Sequence, residues 1–193
     1  MGVPPLNPAP MTIAEFLAFT DARPGEEKWE LIEGEPVLHA TPSGFHQRIV
    51  ANLIYLLGAL ERQELRSWTA IPGIGVRVSD SDLPEPDVLV RPREAAERDL
   101  ASRACDDIIV AFEVLSPSTR DRDLRWKRNA YMGLPSLMQY VVIAQDAVEV
   151  VAFGRNSRFP DRRLNRPEES LDLTAIEVSL PLSEIYRGTG LAG

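Results

Sequence analysis

The run Ile108-Ile109-Val110-Ala111-Phe112-Glu113-Val114-Leu115 is apolar at every position except Glu113. So short an apolar run reads as a β-strand covered on both faces, as in the middle of an α/β sheet. A carboxylate inside such a strand costs several kcal/mol unless it is paired, hydrogen-bonded or bound to a metal. A second carboxylate, Asp87, stands just before another apolar run, Val88-Leu89-Val90. Two such charges at neighbouring strands call for a common explanation, and a divalent-cation site supplies one.

The remaining sequence builds a mixed α/β fold around these runs. Residues 1–10 carry four prolines and read as a mobile tail, leaving 11–193 as one domain. Thr12-Ile13-Ala14-Glu15 fits a capping box opening a short helix that ends near Thr20. Trp29–Ile32 and Glu35–His39 flank Glu33-Gly34 as a hairpin. Gly44–Arg62 is a core helix, with Phe45, Ile49, Leu53, Leu56, Leu57 and Leu60 on one stripe and His46 in its first turn. Strands follow at Trp68–Ile71 and Ile74–Val78, bent at Pro72-Gly73, and at Glu85–Val90. Arg93–Ala104 is helix or irregular surface, and Asp121–Tyr131 is helical. Tyr140–Ala144 and Val148–Phe153 form a second hairpin, Arg155–Ser170 is a polar loop, Leu171–Val178 a last strand, and Leu182–Tyr186 a closing helix.

Charge and composition narrow the function. The net charge of -8 argues against a broad electrostatic grip on nucleic acid, leaving a local basic patch or a metal to do that work. No apolar stretch reaches membrane-spanning length and no secretory signal opens the chain, which predicts a cytoplasmic protein without membrane contact. Cys105 is the single cysteine, so neither a disulfide framework nor a thiolate zinc site is expected, and it reads as a buried small residue. Lys28 and Lys127 are the only lysines among 21 basic residues. Lys28, in Glu26-Glu27-Lys28, reads as an exposed charge. Lys127 and Tyr131 share a helix face one turn apart, from which Lys127 can turn back over the strand of Glu113.

Asp87 and Glu113 are ligands of the type Mg²⁺ takes, and a nearby lysine would act on a phosphate as a point charge. Each residue also has a plainer reading: Asp87 as a turn cap, Glu113 paired with a core arginine, Lys127 on a solvated face. Arg120, Arg122, Arg125, Lys127 and Arg128 form the best local candidate for phosphate contact, or else a helix face with ordinary ion pairs. His39 reads as structural.

A longer set of motifs comprises Trp29-Glu30-Leu31-Ile32-Glu33-Gly34-Glu35, Phe45-His46-Gln47-Arg48-Ile49, Pro86-Asp87-Val88, Phe112 to Thr119, and Arg122-Asp123-Leu124 leading to Lys127 and Tyr131. From about Thr12 to Tyr186 the chain resembles the Uma-two family of restriction endonucleases. The resemblance implies a restriction-endonuclease-like core, a central mixed sheet flanked by helices, with the nuclease motif PD-(D/E)XK. Pro86-Asp87 matches its first element and Glu113 its second acid. The motif lysine would fall at Leu115, so the resemblance implies that Lys127 takes its place. It also places Glu30 and His46 near the pocket, as a supporting carboxylate and an imidazole that binds water or phosphate.

The expected function is a Mg²⁺-dependent (or Mn²⁺-dependent) nuclease hydrolysing phosphodiester bonds in DNA, acting as a homodimer. Asp87 and Glu113 are the expected metal ligands, with Lys127, Glu30 and His46 completing the catalytic set. The alternatives are a catalytically inactive nuclease-fold protein that binds nucleic acid or regulates, and a dimer whose acidic pocket takes another ligand.

Overall fold

The computed structural model describes residues 9–23, 25, 27–64, 66–116, 120 and 123–192. The proposed tail therefore lies almost wholly outside the described residues, as do Pro117, Ser118, Thr119 and Arg122 of the sequence motifs. In chain order the elements are α1 (Ile13–Asp21), β1 (Trp29–Ile32), β2 (Glu35–Leu38), α2 (Gly44–Glu64), β3 (Trp68–Pro72), β4 (Gly75–Val76), β5 (Val88–Pro92) and α3 (Arg93–Arg98). There follow β6 (Ala104–Cys105), β7 (Val110–Leu115), a π-helical turn at Asp123–Lys127, α4 (Arg128–Gly133), β8 (Gln139–Ala144) and β9 (Val150–Gly154). The chain closes with β10 (Arg162–Leu164), β11 (Ser170–Leu173), a 3-10 turn at Thr174–Ile176, β12 (Val178–Pro181) and α5 (Leu182–Ile185).

The apolar runs become the middle of a six-stranded sheet of order β10-β9-β8-β7-β5-β3. It is mixed: β7 runs parallel to β8 and antiparallel to β5, and the outer pairs are antiparallel. Side chains alternate across a strand, so β7 feeds two cores. Val110, Phe112 and Val114 pack with Ile49, Leu53 and Leu57 of α2 and with Leu171, Leu173 and Ile185 of the C-terminal elements. Ala111 and Leu115 pack on the other side with Tyr131, Leu134 and Tyr140. Glu113 has the parity of Ala111 and Leu115, which aims it at the layer carrying Lys127 and Tyr131. Among the described residues no helix is long and apolar enough to cross a membrane.

The structure revises several elements. Arg155–Ser170 is not wholly a loop, because Arg162–Leu164 pairs with β9 at the sheet edge. These residues are polar because an edge strand buries little. The expected last strand Leu171–Val178 is instead a hairpin, β11 and β12, turned by the 3-10 segment and by Glu177 in the left-handed region at φ 56°. Of Ile74–Val78 only Gly75-Val76 is strand, paired in parallel with Ala104-Cys105, at the end of the segment Arg93–Ala104 expected to be helix or irregular surface. The helix expected from Asp121 is a π turn followed by α4. Cys105 is buried, and burial pushes its thiol up to about 12, so it is an inert packing residue.

A candidate metal and phosphate site at the end of the central strands

Antiparallel register places Val88 opposite Phe112, and one further step in that ladder sets Asp87 against Glu113. Both line one cavity of about 380 Å³, with Lys127, His46, His39 and Lys28 on its walls. The plainer reading of Lys127 fails: only 2% of it is exposed, and its Nζ donates to Glu113 Oε1 and Glu30 Oε1, each at 2.8 Å. Tyr131, one turn on, donates its hydroxyl to the same Glu113 oxygen at 3.3 Å. The π turn followed by α4 carries Lys127 and Tyr131 together over the strand.

Glu30 comes from the N-terminal hairpin, which is fixed beside the sheet by the bridge between Leu31 and Leu83. Its carboxylate is fully buried and saturated with donors. Oε1 accepts Lys127 and the Glu85 backbone N–H, at 2.8 Å each, and Oε2 lies 2.6 Å from His39 Nε2. Burial alone would push the Glu30 carboxyl up, but the Lys127 charge and the His39 contact prevail and hold it well below the usual carboxylate range.

Asp87 is held by a different set. Ser43 caps α2 by accepting the His46 N–H at 3.2 Å, and that turn brings His46 Nε2 to 3.2 Å from Asp87 Oδ2. The same oxygen accepts the Val114 N–H at 2.8 Å, and Lys28 Nζ sits 3.5 Å from Oδ1. Burial raises the Asp87 carboxyl, yet the His46 bond and the Lys28 charge outweigh it, so Asp87 is also kept below its ordinary range. His46 Nδ1 is buried with no hydrogen-bond partner among the described residues.

Of the five site residues read from the sequence, Asp87, Glu113, Lys127 and His46 line one cavity, and Glu30 is buried behind it, joined through Lys127. Two further members were missed. His39 is a partner of Glu30 rather than a separate structural group. Lys28, read as an exposed charge, is drawn to Asp87 and Glu85, whose charges overcome burial and raise its ammonium above the usual lysine value. The alternation Trp29-Glu30-Leu31 and its hairpin partner could have signalled His39, because β1 pairs with β2 and His39 follows directly. The arginine patch is dispersed: Arg128 lies 4.1 Å over the Phe153 ring and 3.7 Å from Asp161, Arg125 is exposed, and Lys127 is internal.

Among the described residues no group of three or more His, Cys, Asp or Glu side chains is placed to hold a metal. What the cavity offers is a carboxylate pair, the sparse oxygen donor set that suits Mg²⁺ with retained waters better than a zinc cage. The ion-pair cluster contains the carboxylates of Glu30, Glu85, Asp87 and Glu113 but only the ammonium groups of Lys28 and Lys127. Carboxylates outnumber ammonium groups there, which favours a bound cation.

Comparison with known proteins gives a concordant picture. A family model described as "Uma2: Putative restriction endonuclease" matches residues 13–183. Two uncharacterized proteins of Synechocystis sp. (strain ATCC 27184 / PCC 6803 / Kazusa) are similar to the chain. The protein slr1290 is 28% identical over 114 residues, and the match spans 58% of each chain. The protein sll1609 is 30% identical over 136 residues, spanning 70% of this chain and 75% of that one. In fold, the chain resembles the crystal structure of "a putative nuclease belonging to DUF820 from Anabaena variabilis ATCC 29413". The TM-score is 0.76 at 16% identity, over 92% of this chain and 98% of that one.

Proposed function

We propose, for a chain that belongs to the Uma2 family, that the cavity lined by Asp87, Glu113 and Lys127 hydrolyses phosphodiester bonds of DNA with Mg²⁺ or Mn²⁺. The observation that carries this reading is the convergence of two sheet carboxylates and one buried ammonium on a single cavity. Asp87 and Glu113 would hold the metal, and their donor chemistry fits it. Bound there, the ion supplies Lewis-acid polarisation of a phosphoryl oxygen and a water of lowered pKa.

The chain's own residues set the rest. Lys127, fixed by Glu30 and Glu113, presents a positive charge that attracts a non-bridging phosphate oxygen and offsets charge building up on it during attack. Its two short ion pairs hold that charge in place before substrate arrives, so little reorganisation is needed. Glu30 acts through Lys127, and His39 acts through Glu30, so both are positioning residues. His46 and the Val114 N–H orient Asp87 by engaging one of its oxygens, and Lys28 at the mouth adds a cation that can meet the strand backbone. Two chains paired about a two-fold axis would present two such cavities.

The test is incubation of supercoiled plasmid and of end-labelled oligonucleotides with the protein and Mg²⁺ or Mn²⁺, beside Asp87→Ala and Glu113→Ala. Cleavage that requires the metal and both carboxylates supports the reading. Absence of cleavage by the wild type, or cleavage by both variants as efficient as that of the wild type, refutes it.

A further inference from the structure

Next to the cavity of Asp87 and Glu113 lies a second depression of about 740 Å³, walled by Phe45, Leu115 and Leu191 and by the charged Arg120 and Asp146. The two adjoin, because Ser43, Ser116 and Gln145 line both. Ser43 Oγ donates to Gln145 Oε1 across this shared wall, and Ser43 also caps the turn that carries Phe45 and His46.

Phe45 is 51% exposed, one of few large apolar side chains left in solvent. Such exposure gains nothing for the core, since the hydrophobic term follows area removed from water. Yet the ring stands one residue before the histidine that contacts Asp87. Arg48, exposed one turn further along α2, shares its side of the helix, and exposed Arg120 stands on the depression's wall. A chain of net charge -8 cannot rely on long-range attraction to phosphates. Short-range contact must then supply much of the affinity, and a base laid on an aromatic ring is one that every nucleobase can make.

We propose that Phe45 is the stacking platform for one unpaired nucleobase next to the phosphodiester seated in the Asp87–Glu113 cavity, with Arg48 and Arg120 meeting the flanking phosphates. The proposal rests on the nuclease reading and names its substrate class: strands whose base at that step is unpaired, as in single strands, flaps or gaps. A duplex base is already stacked on both faces and reaches the ring only by leaving its stack, which costs a few kcal/mol.

The test is fluorescence anisotropy with a short oligothymidylate and with a matched strand of abasic tetrahydrofuran units, in Ca²⁺ to leave the strands uncut. Phe45→Ala should weaken oligothymidylate binding by about 5- to 150-fold, leave the abasic strand unchanged, and be rescued by Phe45→Trp. Arg48→Ala and Arg120→Ala should weaken both strands alike and lower the salt dependence. Equal loss on both strands, no loss, or no binding of either strand overturns the proposal. Cleavage of the same oligothymidylate in Mg²⁺, by wild type and by Asp87→Asn, reports separately on the nuclease reading. Base-dependent binding without cleavage sinks that reading alone, and Asp87-dependent cleavage without the Phe45 effect sinks the platform alone.

Discussion

Replacing Lys127 by Met keeps the length of the side chain and removes its charge. In the wild type that charge is 2% exposed and bonds two carboxylates, those of Glu30 and Glu113, whose side chains are 0% and 5% exposed. Deleting one member of a buried ion pair costs about 3–5 kcal/mol, because the partner stays buried without compensation. At roughly 2–4 °C per kcal/mol for a chain of this size, Lys127→Met should lower the melting temperature by about 6–20 °C near pH 7. The pH dependence gives a sharper signature. In the wild type Glu30 is held below its unfolded value, so its contribution is present above the ordinary carboxylate range and is lost as acid reaches the folded value. In the variant the stranded carboxylates take up protons more readily than in the unfolded chain, so the variant gains stability on acidification. The two stability curves should therefore converge between about pH 7 and pH 4. Urea denaturation at a series of pH values measures this. A variant within about 1 kcal/mol of the wild type at neutral pH, or a gap that stays constant into acid, would refute the buried-lysine account.

Other perturbations test separate parts of the structure. Mg²⁺ at about 100 times its dissociation constant should stabilise the wild type by about 2.7 kcal/mol, or about 5–11 °C, in a thermal scan, with no shift for Asp87→Asn. His39→Ala leaves Glu30 Oε2 without its partner and should cost about 1–3 kcal/mol in denaturant titrations, with His39→Gln, whose amide can donate, recovering part. A Cβ on Gly154 would run into the Phe159 carbonyl, so Gly154→Ala should destabilise by about 1–3 kcal/mol in the same assay.

What the sequence could show of this site follows from how each residue is recruited. Asp87 and Glu113 were legible because a charge beside or within a β-branched apolar run is locally anomalous, and the register that joins them is a property of those runs. Lys127 was legible from helical spacing with Tyr131, even though the turn around it is π rather than α. Glu30 and His46 emerged from the family motifs, since nothing in their immediate surroundings marks them. His39 looked ordinary although its partner Glu30 lies on the paired strand of the same hairpin, and Lys28 because its partners Glu85 and Asp87 arrive only when the hairpin folds against the segment before β5. The same limit explains the missed edges. Arg162–Leu164 is too brief and too polar to carry a period-2 pattern and pairs where the longer β9 offers its ladder, and Gly75–Val76 with Ala104–Cys105 are two-residue strands, too short to carry any pattern. The sheet centre, whose strands are buried on both faces, was the readable part.

The claim on which the functional account rests is that Asp87 and Glu113 share one divalent cation beside the Lys127 ammonium. Anomalous diffraction from crystals grown with Mn²⁺ measures this directly. The expected result is one strong peak in the cavity, with an oxygen of each carboxylate at about 2.0–2.2 Å, lost in crystals of Asp87→Asn. Density that places Mn²⁺ elsewhere, or a cavity peak that persists in that variant, would contradict it.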